Sequence, residues 1–94
     1  MKIVINVCFG GFGLSDLACE ELSKRKGINI SQYDFYDDDK RTDKDLIEVV
    51  EKLKDQANGT LSDLKIVEIP DDVKWTIGNY DGVERVEEVH RVWY

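Results

Sequence analysis

The sequence is poor in cysteine, histidine and proline. Its 94 residues include two cysteines, one histidine and one proline. Cys8 and Cys19 have no second ligand pair at zinc-like spacing, so we expect two buried free thiols and no metal site. The single histidine, His90, stands beside Arg91, and Ser15 has no candidate base near it in the sequence. We therefore predict no catalytic residue and no cofactor.

Long apolar runs and an excess of positive charge are also missing. No run approaches the ~20 residues that span a bilayer, and Met1-Lys2 leads into a strand without signal-peptide features. The 13 Lys and Arg face 20 Asp and Glu, giving a net charge of -7. Since phosphate contacts normally need basic side chains, direct binding to nucleic acid or anionic lipid is not expected. We predict a cytoplasmic protein.

The 41% of hydrophobic residues suits one small domain, residues 1–94, with a modest core. Self-association can add stability to such a core, so we expect a homo-oligomer. Lys2 to Phe9 is an almost continuous β-branched and apolar run, which is typical of a strand buried on both faces. We predict that residues 3–7 form a central strand flanked on each side by another strand, with Lys65 to Ile69 on one of them.

Two helices are predicted. Ser15 can cap the first, about Asp16 to Lys26, and Gly27 ends it. Thr42 or Asp43 can cap the second, and Asn58-Gly59 stops it. Its apolar residues recur at helical spacing: Leu46, Ile47, Val50, Leu53 and Ala57. Between the helices, weak alternation predicts a short strand within Ile28 to Tyr36, and Asp37-Asp38-Asp39 is expected to be a solvated loop.

The C-terminal part predicts a hairpin. Val73 to Tyr80 alternates, and Asp81-Gly82 is a strong signal for a tight turn. A β-bulge near Glu87-Glu88 would bring Val89 opposite Trp75. A helix over 83–93 is the alternative, because valines recur there every three residues and Asp81 with Glu84 resembles a capping box. The predicted fold is α+β: one small mixed sheet of about four or five strands with two helices, in the order β-α-(β)-α-β-β-β.

The stretch CFGGFGLSD, residues 8–16, raises the question of a phosphate-binding loop. It lacks the lysine of a P-loop and the G-x-G-x-x-G spacing of a dinucleotide site. Asp16 would also repel an anion from the helix N-terminus. We interpret the glycines as allowing positive φ and close packing of the helix against the strand. The alternative is that exposed Phe9 or Phe12, beside bare backbone amides, clasps a ring.

An aromatic and basic set lies near the C-terminus, and its members are Trp75, Tyr80, Arg85, His90, Arg91 and Trp93. Aromatic rings stack on bases and arginine forks a phosphate, so the set suits a nucleotide-like ligand. It equally suits core packing or a dimer interface. In the ligand interpretation Arg91 makes the bidentate phosphate contact. In the structural one it pairs with Glu87 or Asp72 at the surface.

The two ends, KIVINVCFGGFGLS at 2–15 and KIVEIPDDVKWTIGNYDGVERVEEVHRVW at 65–93, resemble a small family carried by phages and bacteria. Its members tend to read KIVIN-x-C-[FY]-GGFGLS and EIPDD-x-x-W-x-I-x-x-YDG-x-E-x-x-x-x-HR-x-W. Arg41-Thr42-Asp43 extends the likeness to most of the chain. The chain is similar in this respect to phage counter-defence proteins, in particular the Thoeris anti-defence sponges that sequester cyclic ADP-ribose-type signals without cleaving them.

The resemblance implies a small-molecule nucleotide signal as partner, with Phe12 and Arg41 joining the C-terminal set as ligand contacts. A sponge needs a rigid pocket, aromatic stacking and arginines, and no catalytic group. A different hypothesis rests on charge. An acidic chain with Asp37-Asp38-Asp39 between aromatic residues can mimic nucleic-acid phosphates and inhibit a bacterial defence nuclease, so that a host defence protein becomes the partner.

Overall fold

The computed structural model describes residues 1–88 of the chain. Its helices are α1 (Asp16–Lys26) and α2 (Lys44–Leu53), and its strands are β1 (Lys2–Asn6), β2 (Leu64–Glu68), β3 (Trp75–Tyr80) and β4 (Val83–Glu88). Short 3-10 turns occupy Asp38–Lys40 and Lys54–Ala57. The predicted α+β class, with two helices and a C-terminal hairpin, is confirmed.

The strands of residues 1–88 form two antiparallel pairs, β1 with β2 and β3 with β4, where the sequence predicted a single mixed sheet. The strand predicted within Ile28 to Tyr36 is absent from this described part of the chain, since the segment forms turns. Side chains there bond locally: the Ser31 backbone N–H and hydroxyl both donate to Asp34. These local bonds compete with a ladder and favour the turn.

Both helix starts follow the predicted capping chemistry. Ser15 Oγ accepts from the Ala18 N–H, and Gly27 ends α1 with a left-handed φ of 70°. Asp43 rather than Thr42 caps α2, accepting from the Leu46 N–H. Lys54, which has a φ of 52°, is the residue at which the regular α2 helix stops. The 3-10 turn then carries the chain to Asn58.

The main core lies between the helices and one face of the β1–β2 pair. Its buried members include Val4, Phe12, Leu22, Leu46 and Val49. Side chains on the opposite face of β1 are buried too, since Ile3 is 0% and Ile5 is 3% exposed. The prediction that β1 is apolar because it is covered on both faces is therefore confirmed. Cys8 and Cys19 are free and only half-buried, and burial raises the pKa of the Cys19 thiol.

The hairpin has the predicted two-residue turn. Tyr80 pairs with Val83 and Ile77 with Val86. Asp81 and Gly82 both have positive φ, 52° and 90°, as a type I′ turn requires. The predicted bulge is wrong, because the register continues unbroken until Trp75 stands opposite Glu88. Residues 83–88 form a strand, so the helical alternative is wrong for them. Its remainder, and Val89, lie outside the described residues.

Replacement of Asp43 by asparagine should flatten the acid limb of the stability profile. Burial would raise the pKa of the Asp43 carboxyl, but hydrogen bonds from the Lys26 ammonium and the Leu46 N–H hold it below its ordinary value. A depressed pKa contributes stability above the unfolded value, near 3.9, that is lost as pH falls through the folded value. Urea melts at several pH values below about 5 should show a weaker pH dependence for Asp43→Asn. Identical profiles for wild type and Asp43→Asn would contradict the assignment.

Candidate functional site

The three described residues of the C-terminal aromatic and basic set do not share one face of the hairpin. Side chains alternate along a strand, and directly paired residues point to the same side. Trp75 shares its face with Glu84, whose side chain is buried against β1. Tyr80 and Arg85 belong to the other, exposed face. The hairpin thus separates Trp75 from Tyr80 and Arg85. His90, Arg91 and Trp93 lie outside the described residues.

Arg41 is fully buried and bonded on all of its guanidinium N–H groups. Nε donates to the carbonyl oxygens of Phe35 at 2.8 Å and Tyr36 at 3.1 Å. Nη1 donates to the Val4 carbonyl at 3.2 Å and to Glu84 Oε1 at 2.7 Å, and Nη2 donates to Glu84 Oε2 and the Tyr36 carbonyl, both at 2.8 Å. A guanidinium with its donors used in this way has none to offer a phosphate.

Phe12 is also buried, and its ring stacks on Arg41. The guanidinium carbon lies 3.7 Å from the ring centroid, a close cation–π arrangement. Phe12 is 1% exposed. In this structure the side chains of Phe12 and Arg41 are both buried and pack against each other.

The Arg41–Glu84 pair occupies the place that a second neighbouring strand would have taken beside β1. The Val4 N–H donates to the Arg41 carbonyl at 2.9 Å, and the Asn6 N–H donates to Glu84 Oε1 at 2.8 Å. The prediction that β1 is flanked by a strand on each side is confirmed for β2 and wrong for the other edge. Side chains and one loop carbonyl satisfy that edge, because buried backbone groups need partners of any kind.

A different surface stands out, which we call the glycine face. It surrounds a cleft of about 180 Å³ whose lining residues are Gly10, Gly11, Phe12, Gly13, Gln32, Tyr33, Gly59, Thr60, Leu61 and Ser62. None of these residues is charged, although 35% of the chain is. A second depression of about 210 Å³ adjoins it at the start of α1, where Asp16 contributes to the lining.

Backbone contacts between two loops build the glycine face. Ser62 Oγ and the Gly59 N–H both donate to the Gly13 carbonyl, at 2.7 and 3.2 Å. The Leu14 N–H donates to the Gln32 carbonyl at 3.2 Å. Gly10 lies so close to Leu61 that an added Cβ would overlap the Leu61 carbonyl. The predicted positive φ is confirmed at Gly11, at 89°, but Gly10 packs closely against the 59–62 loop, where packing of a helix on a strand was predicted.

Two exposed apolar side chains line the cleft, Tyr33 and Leu61, which are 61% and 66% exposed. Phe9, which is 72% exposed, directly precedes the lining residue Gly10 in the chain. Three acidic residues lie next to the face along the chain, and they are Asp16, Asp34 and Asp63. The Ser31 backbone N–H and hydroxyl hold the pKa of the Asp34 carboxyl below its ordinary value, so this carboxylate is ionised at neutral pH. The glycine face is thus an uncharged aromatic surface with an acidic border.

The sequence predicts an exposed aromatic in the glycine loop at Phe9 but does not point to Tyr33 or Leu61. A usable signal for Leu61 is the uncharged stretch Asn58 to Ser62 that follows the second helix. Tyr33 carried no signal of its own, because a turn and not a strand places it beside Gly13. Its ring lies in ordinary contact distance of that glycine.

Gly10→Ala should destabilise the glycine face. The added methyl group meets backbone rather than a flexible side chain, so the two loops must move apart. Overpacking of this kind costs about 1–3 kcal/mol. Gly13→Ala is a matched control for the loss of glycine freedom, because its Cβ would meet only the Tyr33 ring at 3.5 Å. Urea unfolding should show the larger loss for Gly10→Ala, and equal losses would count against the close loop contact.

Comparison with family models, with curated proteins and with solved structures finds no match to this chain. Within residues 1–88 no helix has the length and apolar character needed to cross a bilayer. The same residues hold no cluster of three or more histidine, cysteine, aspartate or glutamate side chains arranged to bind a metal ion.

Proposed function

We propose that this chain is a non-catalytic inhibitor that binds a bacterial defence protein through the glycine face, acting in the host cytoplasm. The observation that carries the proposal is an uncharged aromatic surface on a strongly charged protein. Interface centres are depleted of charge and enriched in aromatic residues. Exposed Tyr33 and Leu61 in one uncharged cleft, with exposed Phe9 next to Gly10 in the chain, have that composition.

Charge favours a protein with a basic surface as the partner. The lining of the cleft brings no cation, and acidic residues border it. Arg85, the described cation of the C-terminal set with an exposed side chain, lies 3.5 Å from Glu87. A net charge of -7 would speed association with a basic surface and slow the approach of a phosphate. The nucleic-acid groove of a nuclease is a surface of the favoured kind.

The test passes a bacterial lysate over three immobilised forms of this chain and compares the proteins that each form retains. The face variant carries Tyr33→Ser and Leu61→Ser, both at exposed positions. The control carries Ile28→Ser, which is 62% exposed and lies outside the cleft. We expect one protein to be retained by both wild type and control, and the face variant should retain at least about tenfold less of it. Salt should release this protein, because the acidic border contributes to binding. Equal retention by the face variant would refute the proposed surface.

A second candidate function is sequestration of a cyclic ADP-ribose-type signal, as the family resemblance implies. The cleft favours it by offering backbone polar groups beside the Tyr33 ring, where a base can stack. Binding to the folded state alone raises its stability with ligand concentration, by about 2.7 kcal/mol at a hundredfold excess over Kd. Melting curves with cyclic ADP-ribose isomers should rise with concentration for a sponge and stay constant for a protein inhibitor.

Self-association through the glycine face is a separate proposal, and it would compete with binding of the partner because both use the same face. Two glycine faces are uncharged at their centres, so they can meet without bringing like charges together there. The same face variant and Ile28→Ser control test this by light scattering. A homo-oligomer through the glycine face becomes smaller in Tyr33→Ser with Leu61→Ser, and its mass does not change in the control.

A further inference from the structure

We infer that the β3–β4 hairpin is a strap whose docking sets the shape of the glycine face. The inference concerns regulation of the proposed binding surface and rests on that proposal for its functional meaning. Its structural content stands on two separate contacts between the hairpin and the glycine loop, residues 8–14. One runs through a buried side chain, and the other joins backbone to backbone.

The first contact is a relay of three side chains. Glu84, on the hairpin, accepts hydrogen bonds from both terminal nitrogens of the Arg41 guanidinium at 2.7 and 2.8 Å. The Phe12 ring, at the centre of the glycine loop, stacks on that guanidinium at 3.7 Å. A guanidinium needs its carboxylate to stay buried, because an unpaired buried charge is strongly unfavourable. Loss of hairpin docking therefore removes the platform on which Phe12 rests.

The second contact lies at the hairpin turn. Gly82 approaches the loop so closely that an added Cβ would overlap the Phe9 carbonyl and the Gly11 backbone. Asn6 Nδ2 joins the two segments as well, donating to the carbonyls of Cys8 at 2.6 Å and Gly82 at 2.7 Å. The turn of the hairpin therefore contacts the glycine loop, and Arg41 contacts the Phe12 ring within the same loop.

Docking of the strap and order in the glycine loop are coupled by these contacts. A partner that binds the docked shape of the glycine face also stabilises the docked hairpin, since coupling between two sites is reciprocal. A ligand that pulls the hairpin away, conversely, weakens binding at the face. The position of the strap therefore controls the conformation of the glycine face, although the strap is not part of the surface that contacts the partner.

Amide hydrogen exchange on the isolated chain tests the strap. Two variants disrupt the two contacts separately. Glu84→Gln weakens the relay, and Gly82→Ala forces the hairpin turn away from the glycine loop. Glu87→Gln, on the other face of β4, is the matched control. We expect each test variant to speed exchange of the Leu14 amide, which bonds to Gln32, by about tenfold or more while Leu22 in α1 remains protected. The control should leave both amides unchanged.

Faster exchange in the hairpin with no change at Leu14, in both test variants, would overturn the inference. If Glu84→Gln unfolds the chain, so that Leu14 and Leu22 exchange equally fast, Gly82→Ala alone decides. The measurement needs no partner, so the strap can fail while the proposed function holds, and the reverse. Retention experiments with the Tyr33 and Leu61 variants report on the function separately.

Discussion

Replacement of Glu84 by alanine should lower the free energy of unfolding by about 3–5 kcal/mol. The carboxylate and the guanidinium of Arg41 have side-chain exposures of only 2% and 1%. Without Glu84 the guanidinium keeps its charge, the Asn6 N–H loses its acceptor, and neither regains water in the closed fold. Removing one member of a buried pair is costly chiefly because the other remains unpaired.

Three comparison variants separate this effect from a general loss of acidic charge. Glu87→Ala, at a position near Arg85 on the exposed face of the same strand, should cost less than about 1 kcal/mol. Arg41→Ala should cost about as much as Glu84→Ala. Arg41→Met combined with Glu84→Leu should recover only part of the loss, because no unpaired charge remains but the Asn6 N–H and the Val4 carbonyl still lack their partners. Urea melts measure all four, and a loss below about 1 kcal/mol for Glu84→Ala would contradict the buried-pair assignment.

Features that depend on local chemistry could be predicted from the sequence. Ser15 before an apolar run and Gly27 after it bounded α1 at the observed residues, because a cap and a left-handed stop act within one turn. Asp81-Gly82 fixed both the turn and the register of the hairpin for the same reason. The antiparallel partner of β1 was found through its apolar run, Lys65 to Ile69.

Features that depend on side chains far apart in the sequence could not be predicted from it. Arg41 and Glu84 are 43 positions apart, and each looks like a surface charge in the sequence. Nothing local shows that a guanidinium and a carboxylate will complete the edge of a strand, so the sequence argued for another strand there. The faces of the three described hairpin residues were not worked out from the sequence either. Strand parity places Trp75 on one face and Tyr80 with Arg85 on the other.

The glycine face was visible only in part. The loop CFGGFGLSD signalled close packing, and Phe9 was weighed as an exposed ring. Tyr33 and Leu61 come from turns whose conformation depends on contacts with that loop. A propensity argument cannot place a turn residue against a loop some twenty or fifty positions away, because side-chain hydrogen bonds such as Ser62 to Gly13 fix the placement.

Replacement of Ile5 by alanine should cost about 2–5 kcal/mol. Ile5 lies near the end of β1, is 3% exposed and pairs with Lys65 across the antiparallel ladder. Its side chain belongs to the face of β1 opposite the main core, so the loss reports whether this second face is as closely packed as the first. The cavity left by three carbon atoms adds to the lost transfer free energy, because surrounding structure relaxes only in part.

Matched variants make the measurement specific to burial. Ile28→Ala removes the same atoms from a side chain that is 62% exposed, and surface changes of this kind stay within about 0.5 kcal/mol. Ile5→Val removes a single methylene and should cost about 0.5–1.5 kcal/mol. Urea melts of the three variants should give this order, with unchanged m-values showing that the denatured state is the same. A loss below about 1 kcal/mol for Ile5→Ala would mean that the second face of β1 is open in solution.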